Sequence, residues 1–593
     1  MNCKSKLAIL ALVAKVFAAE FAVVSFEGAC QLSLGGNTVQ MTADPACPNL
    51  YKATADAQDG ATYKYVCGGK EDVERTLKGG KTHNELFGRA LTVSDMFEFG
   101  YPTSDVSEPW TRSIGRTELF DPTYVPTVII DAGKDFFVKG SGSTTANKMT
   151  FILKDSVHTF DKVSISAKNN EQDKFQMKFD LPGTGIYNRT GFKFRPSSED
   201  PVFIRQILYG DILHAIGNPT HESVAARVYL KDGTKVALYV LQEDVTTESF
   251  VKSAFLGNPD GSLKSNEPQT VHDCSTGADF TAKDRALYGF TNTETSTKLY
   301  ELMAKIDATN PTDQAAVKDL NDNWFDMNIF LKAAALEYLA GHWDSYWFLT
   351  TNFAVYAPPN EKYFFIDQDF DQTWSVGMKE SLDPQNFPTK PYTEYVNAAW
   401  KTINSDQGSD ESGHRYLIEK FLGCDGAPTC PTKDLFESHL KSIVQHIFNP
   451  VAIQAKVDSY RTRLDEEMKW DLESPNMHTG SYSTRPEKAE EYYHFTYDDW
   501  VSGFNAGPNS LYGIINWTET IANTVCNQYQ IQYDKTPLTP ETAAKAKVEP
   551  AKPGEQENVL KTNNTQSSSG SITSSANVAL AVIATLLSIV LYL

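Results

Sequence analysis

Residues 342–377 read HWDSYWFLTTNFAVYAPPNEKYFFIDQDFDQTWSVG. A run with helical periodicity, FDMNIFLKAAALEYLAG, leads into it, and two short apolar segments, NFAVY and YFFID, flank a Pro-Pro-Asn turn as in a hairpin. Asp367, Asp369 and Asp371 close the second segment. On an extended strand, positions i, i+2 and i+4 share a face, so three carboxylates at this spacing repel unless a cation offsets them. His342 and Asp344 flank Trp343, and Asn352 follows Asp344 by eight positions. A carboxylate after a helix, an Asn opening a strand and an Asp pair ending the next strand can converge on one divalent ion. That is the logic of phosphoryl transfer, where one Asp positions the acceptor hydroxyl while an Asn and a second Asp hold Mg²⁺. The same residues also read as a solvated turn.

Upstream, residues 121–249 are β-rich. KFQMKFDL (174–181) alternates, with Phe175, Met177 and Phe179 on one face and Lys174, Gln176 and Lys178 on the other. GFKFRP (191–196) aligns Lys193 and Arg195 in the same way. The cationic half of a phosphate site is available from Lys174/Lys178 or from Lys193/Arg195, although alternating lysines also suit any half-exposed strand. Residues 200–217 predict a helix capped by Asp200 and stopped by Gly217, and 225–245 predict a hairpin turning at Asp232-Gly233. Helical patterning dominates 250–470.

The chain has 593 residues, 54 basic against 75 acidic, for a net charge of −21. That length predicts about two to four domains. The acidic balance excludes a general electrostatic footprint for nucleic acid. The 33 Phe, 27 Tyr and 9 Trp exclude disorder throughout. Residues 1–19 carry Lys4 and Lys6 before an apolar run and read as a signal peptide. Residues 20–75 form a small β-rich, sandwich-like module, and 76–120 a connector. After 250–470 come a C-terminal extension (471–540), a Ser/Thr/Pro-rich stalk (541–577) and an uncharged apolar tail (578–593). Small residues, a polar spacer and a terminal tail predict a GPI anchor attached at Ser569, which would hold the chain on the outer membrane face, in the wall or on a spore surface. Cys424 and Cys430 can close a small loop, and Cys30, Cys47 and Cys67 can supply one bond. Asn188, Asn516 and Asn563 open glycosylation triplets.

Taken together, Trp343-Asp344, Asn352, Tyr356, Asp369-Phe370-Asp371 and Gly377 resemble the core of the CotH kinase family. KFQMKF (174–179), FKFR (192–195), FIRQILYGDILHAIG (203–217) and YVLQED (239–244) fit the same pattern, so the resemblance spans about 120–450. It implies an α+β, two-lobed, atypical protein-kinase-like domain behind the small N-terminal module. It also implies ATP with Mg²⁺ or Mn²⁺ as cofactors and transfer to Ser or Thr of secreted, coat or wall proteins. Asp344 is then the catalytic carboxylate. Asn352, Asp369 and Asp371 are the metal ligands. Lys178, Lys174, Arg205 and Glu243 serve the nucleotide. Two departures stand out. The Asp-to-Asn gap is eight residues rather than the five of common protein kinases, and SAKNNEQDKF takes the place of a glycine-rich loop before Lys178. The other expectations are an adhesin or invasin using an inactive kinase-like scaffold to bind a host receptor or glycan, and a structural coat protein.

Overall fold

The computed structural model describes residues 18–546 except 105–106, 275–278, 282–289, 293–295, 398–414, 425–426, 428 and 507–510. Of the segment expected as a signal peptide, residues 1–17 lie outside the described residues, as do Asn563, Ser569 and the apolar tail, whereas Ala18 and Ala19 stand in the first strand. The fold is α+β, with mixed sheets and a closed seven-stranded barrel.

Nine short strands open the chain: β1 (Ala18–Val24), β2 (Cys30–Leu34), β3 (Asn37–Gln40), β4 (Thr42–Ala43), β5 (Leu50–Asp56), β6 (Thr62–Cys67), β7 (Lys70–Glu71), β8 (Arg75–Thr76) and β9 (Lys81–Leu86). They form two sheets, β4-β5-β1-β9 and β3-β2-β6-β7 with β8 beside β6. Phe21, Val23, Leu32 and Tyr65 fill the space between them. The Cys30–Cys67 disulfide joins directly opposed residues of β2 and β6. The module runs past the boundary expected at residue 75. β9 pairs in parallel with β1, and its buried Glu85 accepts hydrogen bonds from Tyr63 (2.9 Å) and Tyr65 (2.7 Å). A core this small is marginal alone. Its other face is shared, because Ala22, Val24 and Leu50 pack with Ile129 and Ile152 of the barrel.

The barrel comprises β10 (Thr127–Asp131), β11 (Ser143–Ile152), β12 (Val157–Lys168), β13 (Gln176–Asp180), β14 (Gly191–Arg195), β15 (Ser223–Leu230) and β16 (Lys235–Glu243). Its order is β10-β11-β12-β13-β14-β16-β15, closed by the parallel β10–β15 pair. The expected alternation holds: Met177, Phe179, Phe192 and Phe194 fill the interior. The outward residues Leu238 and Val240 join the helical core instead. The helix predicted over 200–217 begins only at Arg205 and ends at Ala215. Asp200 still serves its start, accepting from the backbone N–H groups of Val202 (3.0 Å) and Arg205 (2.9 Å). This helix lies between the barrel and the helical part and contributes Ile207, Leu208 and Ile212 to the main core.

That core is built on the helix Met327–Ala340, nearly all of whose residues are buried. Beside it lie the helices Pro431–His446, Pro450–Leu472 and Ile514–Tyr529 and a three-stranded sheet, β17 (His272–Cys274), β18 (Phe353–Tyr356) and β19 (Phe364–Asp367). The second disulfide is Cys424–Cys430.

Candidate functional site

The helix Met327–Ala340 ends at Gly341, whose φ of 58° turns the chain sharply. The next residues are thereby directed back into the core. His342 N–H donates to the Glu337 carbonyl at 2.9 Å, and Trp343 Nε1 donates to the Val376 carbonyl at 3.0 Å. Asp344 then lines a cleft with Gln176 and Arg195 of the barrel. Asn352 donates its amide to both the backbone oxygen (3.0 Å) and Oδ2 (2.9 Å) of Asp344, which fixes the carboxylate across the eight-residue gap.

The three aspartates do not share a face. Strand β19 ends at Asp367, and Asp369 adopts φ 65°, so the period of two is lost after the first carboxylate. Asp367 points inward, taking the Tyr209 hydroxyl at 2.6 Å with His342 Nδ1 3.6 Å away. Asp369 and Asp371 point to the barrel, where Arg195 of β14 grips both. Its Nη1 donates to Asp369 Oδ2 at 2.9 Å, and its Nη2 donates to Asp369 Oδ1 and, at 2.9 Å, to Asp371 Oδ2. Phe370, between them, stacks on Tyr209 with ring centres 4.3 Å apart, and its N–H donates to Gln206 at 2.9 Å.

Asp344, Asp369, Asp371, Arg195, Lys174 and Trp343 line one cleft of about 440 Å³. Glu199 lines it too, and the segment after Leu472 adds Tyr482, Glu491 and Tyr493. The charges are strongly perturbed. Burial pushes the Asp344 carboxyl up, and the nearby Asp369 charge adds to that against the pull of His342. Burial pushes Asp371 up as well, to about 7, with Asp369 and Glu199 reinforcing it against Arg195. For Asp369 burial acts upward, but Arg195 outweighs it and holds the group below the usual carboxylate range. Burial alone would lower the His342 imidazole, yet Asp367 and Asp344 raise it well above its ordinary value. Such opposed shifts within one cleft mark a candidate site for acid–base or phosphoryl chemistry.

The structure therefore brings Asp344, Asp369, Asp371 and Lys174 together, with Asn352 holding Asp344. Lys174 is also tied to Asp471 at 3.1 Å. Lys178 is not among the residues lining the cleft; it pairs with Asp244 at 2.5 Å, as does Lys193 at 3.0 Å. Arg205 is fully buried, bound to Asp200 and to the Thr373 carbonyl (3.1 Å). Glu243 accepts from Arg189 at 2.7 Å and Ser253 at 2.5 Å. Both bind neighbouring elements to one another. Of the sequons, Asn188 donates to the Gly261 carbonyl at 2.9 Å, and Asn516 is exposed on its helix. Arg195 is the cation that reaches the acidic centre, and the Lys193/Arg195 alternation was its signal. The tyrosine wall from residues 482–493 had none, because it is brought in from a distant part of the chain.

Among the described residues no group of three or more His, Cys, Asp or Glu stands ready to hold a metal ion. Arg195 occupies the space between the carboxylates. The donor set nevertheless suits a hard divalent cation, since Asp344, Asp369, Asp371 and Asn352 offer oxygen atoms. Asp344 Oδ1 is buried and accepts no hydrogen bond. Its nearest cation is His342 Nε2 at 3.3 Å, which instead sits 2.9 Å from the Asp369 carbonyl.

Residues 138–498, which carry every one of these site groups, match the CotH kinase protein family. The chain belongs to this family. It is 26% identical over 553 residues to Invasin CotH3 of Rhizopus delemar, covering 86% of this chain and 84% of that protein. It is 29% identical over 466 residues to Invasin CotH7 of the same fungus (75% and 72% covered). A further relative there, Spore coat protein homolog 1, is 26% identical over 466 residues (74% and 70% covered). Among the described residues no helix is long and apolar enough to cross a membrane.

Proposed function

We propose that this CotH protein is a surface kinase that transfers phosphate from ATP to Ser or Thr of secreted, coat or wall proteins. The barrel and the helical part act as the two lobes of an atypical kinase, and a GPI anchor at Ser569 holds the chain at the cell surface. The observation that carries this reading is the convergence of Asp344, Asp369, Asp371 and Arg195 on one cleft between barrel and helices. Asp344 would receive the proton of the acceptor hydroxyl, with Asn352 keeping its carboxylate aimed. Asn352, Asp369 and Asp371 would hold Mg²⁺ or Mn²⁺, which when bound neutralises developing phosphate charge. Trp343 and the tyrosine wall would exclude water and position the acceptor.

A second reading is a binding protein that uses the same scaffold without catalysis. It is favoured by relatives that carry the name invasin, and its partner would be a host receptor or glycan. One measurement separates the two: thermal unfolding of the purified protein with ATP, with and without Mg²⁺. The kinase reading expects stabilisation by several degrees that requires the metal. No shift with either Mg²⁺ or Mn²⁺ favours the binding reading.

A further inference from the structure

We propose that Arg195 and a divalent cation are alternative counter-ions of the same two carboxylates, and that the guanidinium displaced by the cation is the group that grips the nucleotide phosphates. The inference rests on the phosphoryl-transfer reading of the cleft. Three oxygens, both of Asp369 and Oδ2 of Asp371, are taken by the Arg195 fork. A metal bridging the two residues needs at least one oxygen of Asp369, and the fork holds both, so arginine and metal compete for that carboxylate. The two partners also belong to different parts of the molecule. Arg195 is fixed on β14 in register with Val240 of β16, whereas Asp369 and Asp371 follow β19. The ion pair therefore ties the barrel to the helical part across the cleft.

Chemistry points the displaced side chain toward phosphate. The cleft carries Glu199, Asp344, Asp369 and Asp371, and a triphosphate entering it meets net negative charge. Lys178 and Lys193 are both paired with Asp244, and Lys174 with Asp471, at carboxylates outside the acidic centre. Arg195 differs, since its partners are the carboxylates a metal would take from it. Its Nε is buried without a hydrogen-bond acceptor, so the fork has donor capacity that its present partners do not use. A planar guanidinium matches phosphate oxygens two at a time, which an ammonium does not. Metal arrival and phosphate gripping thus become one exchange, and nucleotide binds well only together with its cation.

The test is binding, not turnover. Free Mn²⁺ is followed by its paramagnetic resonance as it is titrated into wild type and Arg195→Gln, without nucleotide and then with a non-hydrolysable ATP analogue. Thermal unfolding checks that the variant folds. Relative to wild type, Arg195→Gln should bind Mn²⁺ alone about 10-fold more tightly, because two carboxylates lose a competing charge, and should bind the Mn²⁺-nucleotide about 10-fold or more weakly. Should the glutamine variant fail to fold, Arg195→Lys carries the test. It keeps the charge but not the fork, so Mn²⁺ affinity changes little while nucleotide affinity falls. Equal or weaker Mn²⁺ binding by a folded Arg195→Gln overturns the exchange, as does undiminished nucleotide binding by a folded variant. A gain in Mn²⁺ affinity with no nucleotide bound by either protein upholds the shared counter-ion and removes the kinase reading instead.

Discussion

At the scale of single residues, the site is a contest of charges in a confined space. Asp344 is held by one amide and faces one imidazole, and its Oδ1 accepts no hydrogen bond. On the kinase reading, Asp344→Asn preserves that shape while removing the proposed base. In a radiolabelled phosphate-transfer assay the variant should lose about 10²-fold or more in rate, with unfolding temperature nearly unchanged; wild-type transfer would remove Asp344 from the chemistry. The acidic trio was visible in the sequence as a spacing. Its division into an inward Asp367 and an outward pair was not, because it depends on the φ of 65° at Asp369. Lys178 shows the converse. Its place on an alternating strand was readable, but the strand pattern says nothing about which carboxylate the outward face meets. That carboxylate is Asp244, where β16 hands the chain to the helices.

At the scale of elements, the decisive junction is the end of the helix Met327–Ala340. Gly341 adopts a left-handed conformation there, and a Cβ at this position would run into the Trp517 ring and the end of Met378. Gly341→Ala should therefore destabilise the protein by about 2–4 kcal/mol, combining backbone strain with a clash in a packed core. It should also lower phosphate transfer, since His342 and Asp344 follow directly. Chemical denaturation and the transfer assay check the two effects together. The barrel strands β13 and β14 were legible because their alternation reflects the burial of one face, whereas the helix Met327–Ala340 and the β18–β19 hairpin were legible as apolar runs buried on nearly every side. The helix expected from Asp200 was read too long, because Asp200 spends its carboxylate on a turn before Arg205. The module boundary at 75 missed β9, a strand whose parallel pairing with β1 is a contact across some sixty residues that local pattern does not encode.

At the scale of the whole molecule, buried ion pairs join parts that are distant in sequence. Glu467 lies fully buried among Arg89 after the N-terminal module (3.5 Å), Arg227 of the barrel and Arg463 of its own helix (3.4 Å). Glu467→Ala leaves these guanidinium groups without their shared carboxylate and should cost about 3–5 kcal/mol. Calorimetry should show module and barrel still melting together but at a lower temperature. Acid should act in the same direction. For Asp244 burial raises the carboxyl, but Lys193 and Lys178 prevail and hold it at about 2. Its contribution, about 2 kcal/mol, is complete above its unfolded value near pH 4 and is lost as pH falls through about 2. Denaturant titrations between pH 6 and 2 should show stability falling over that window, with a smaller fall for Asp244→Asn.

The sequence by itself determined the α+β class, the alternation that fills the barrel, the helix and hairpin that lead into Asp344 and Asp369, and kinship with the CotH family through motifs in fixed order. These follow from local period, turn chemistry and spacing. Tertiary structure alone decided that Arg195 rather than Lys178 meets the acidic centre. It also decided that residues 482–493 return to line the cleft and that the N-terminal module shares a core with the barrel. The physical reason is the same in each case. A side chain's partner across a fold is set by how barrel and helices dock, and that docking is fixed by buried area and charge pairing summed over the whole chain, not by any neighbour in sequence.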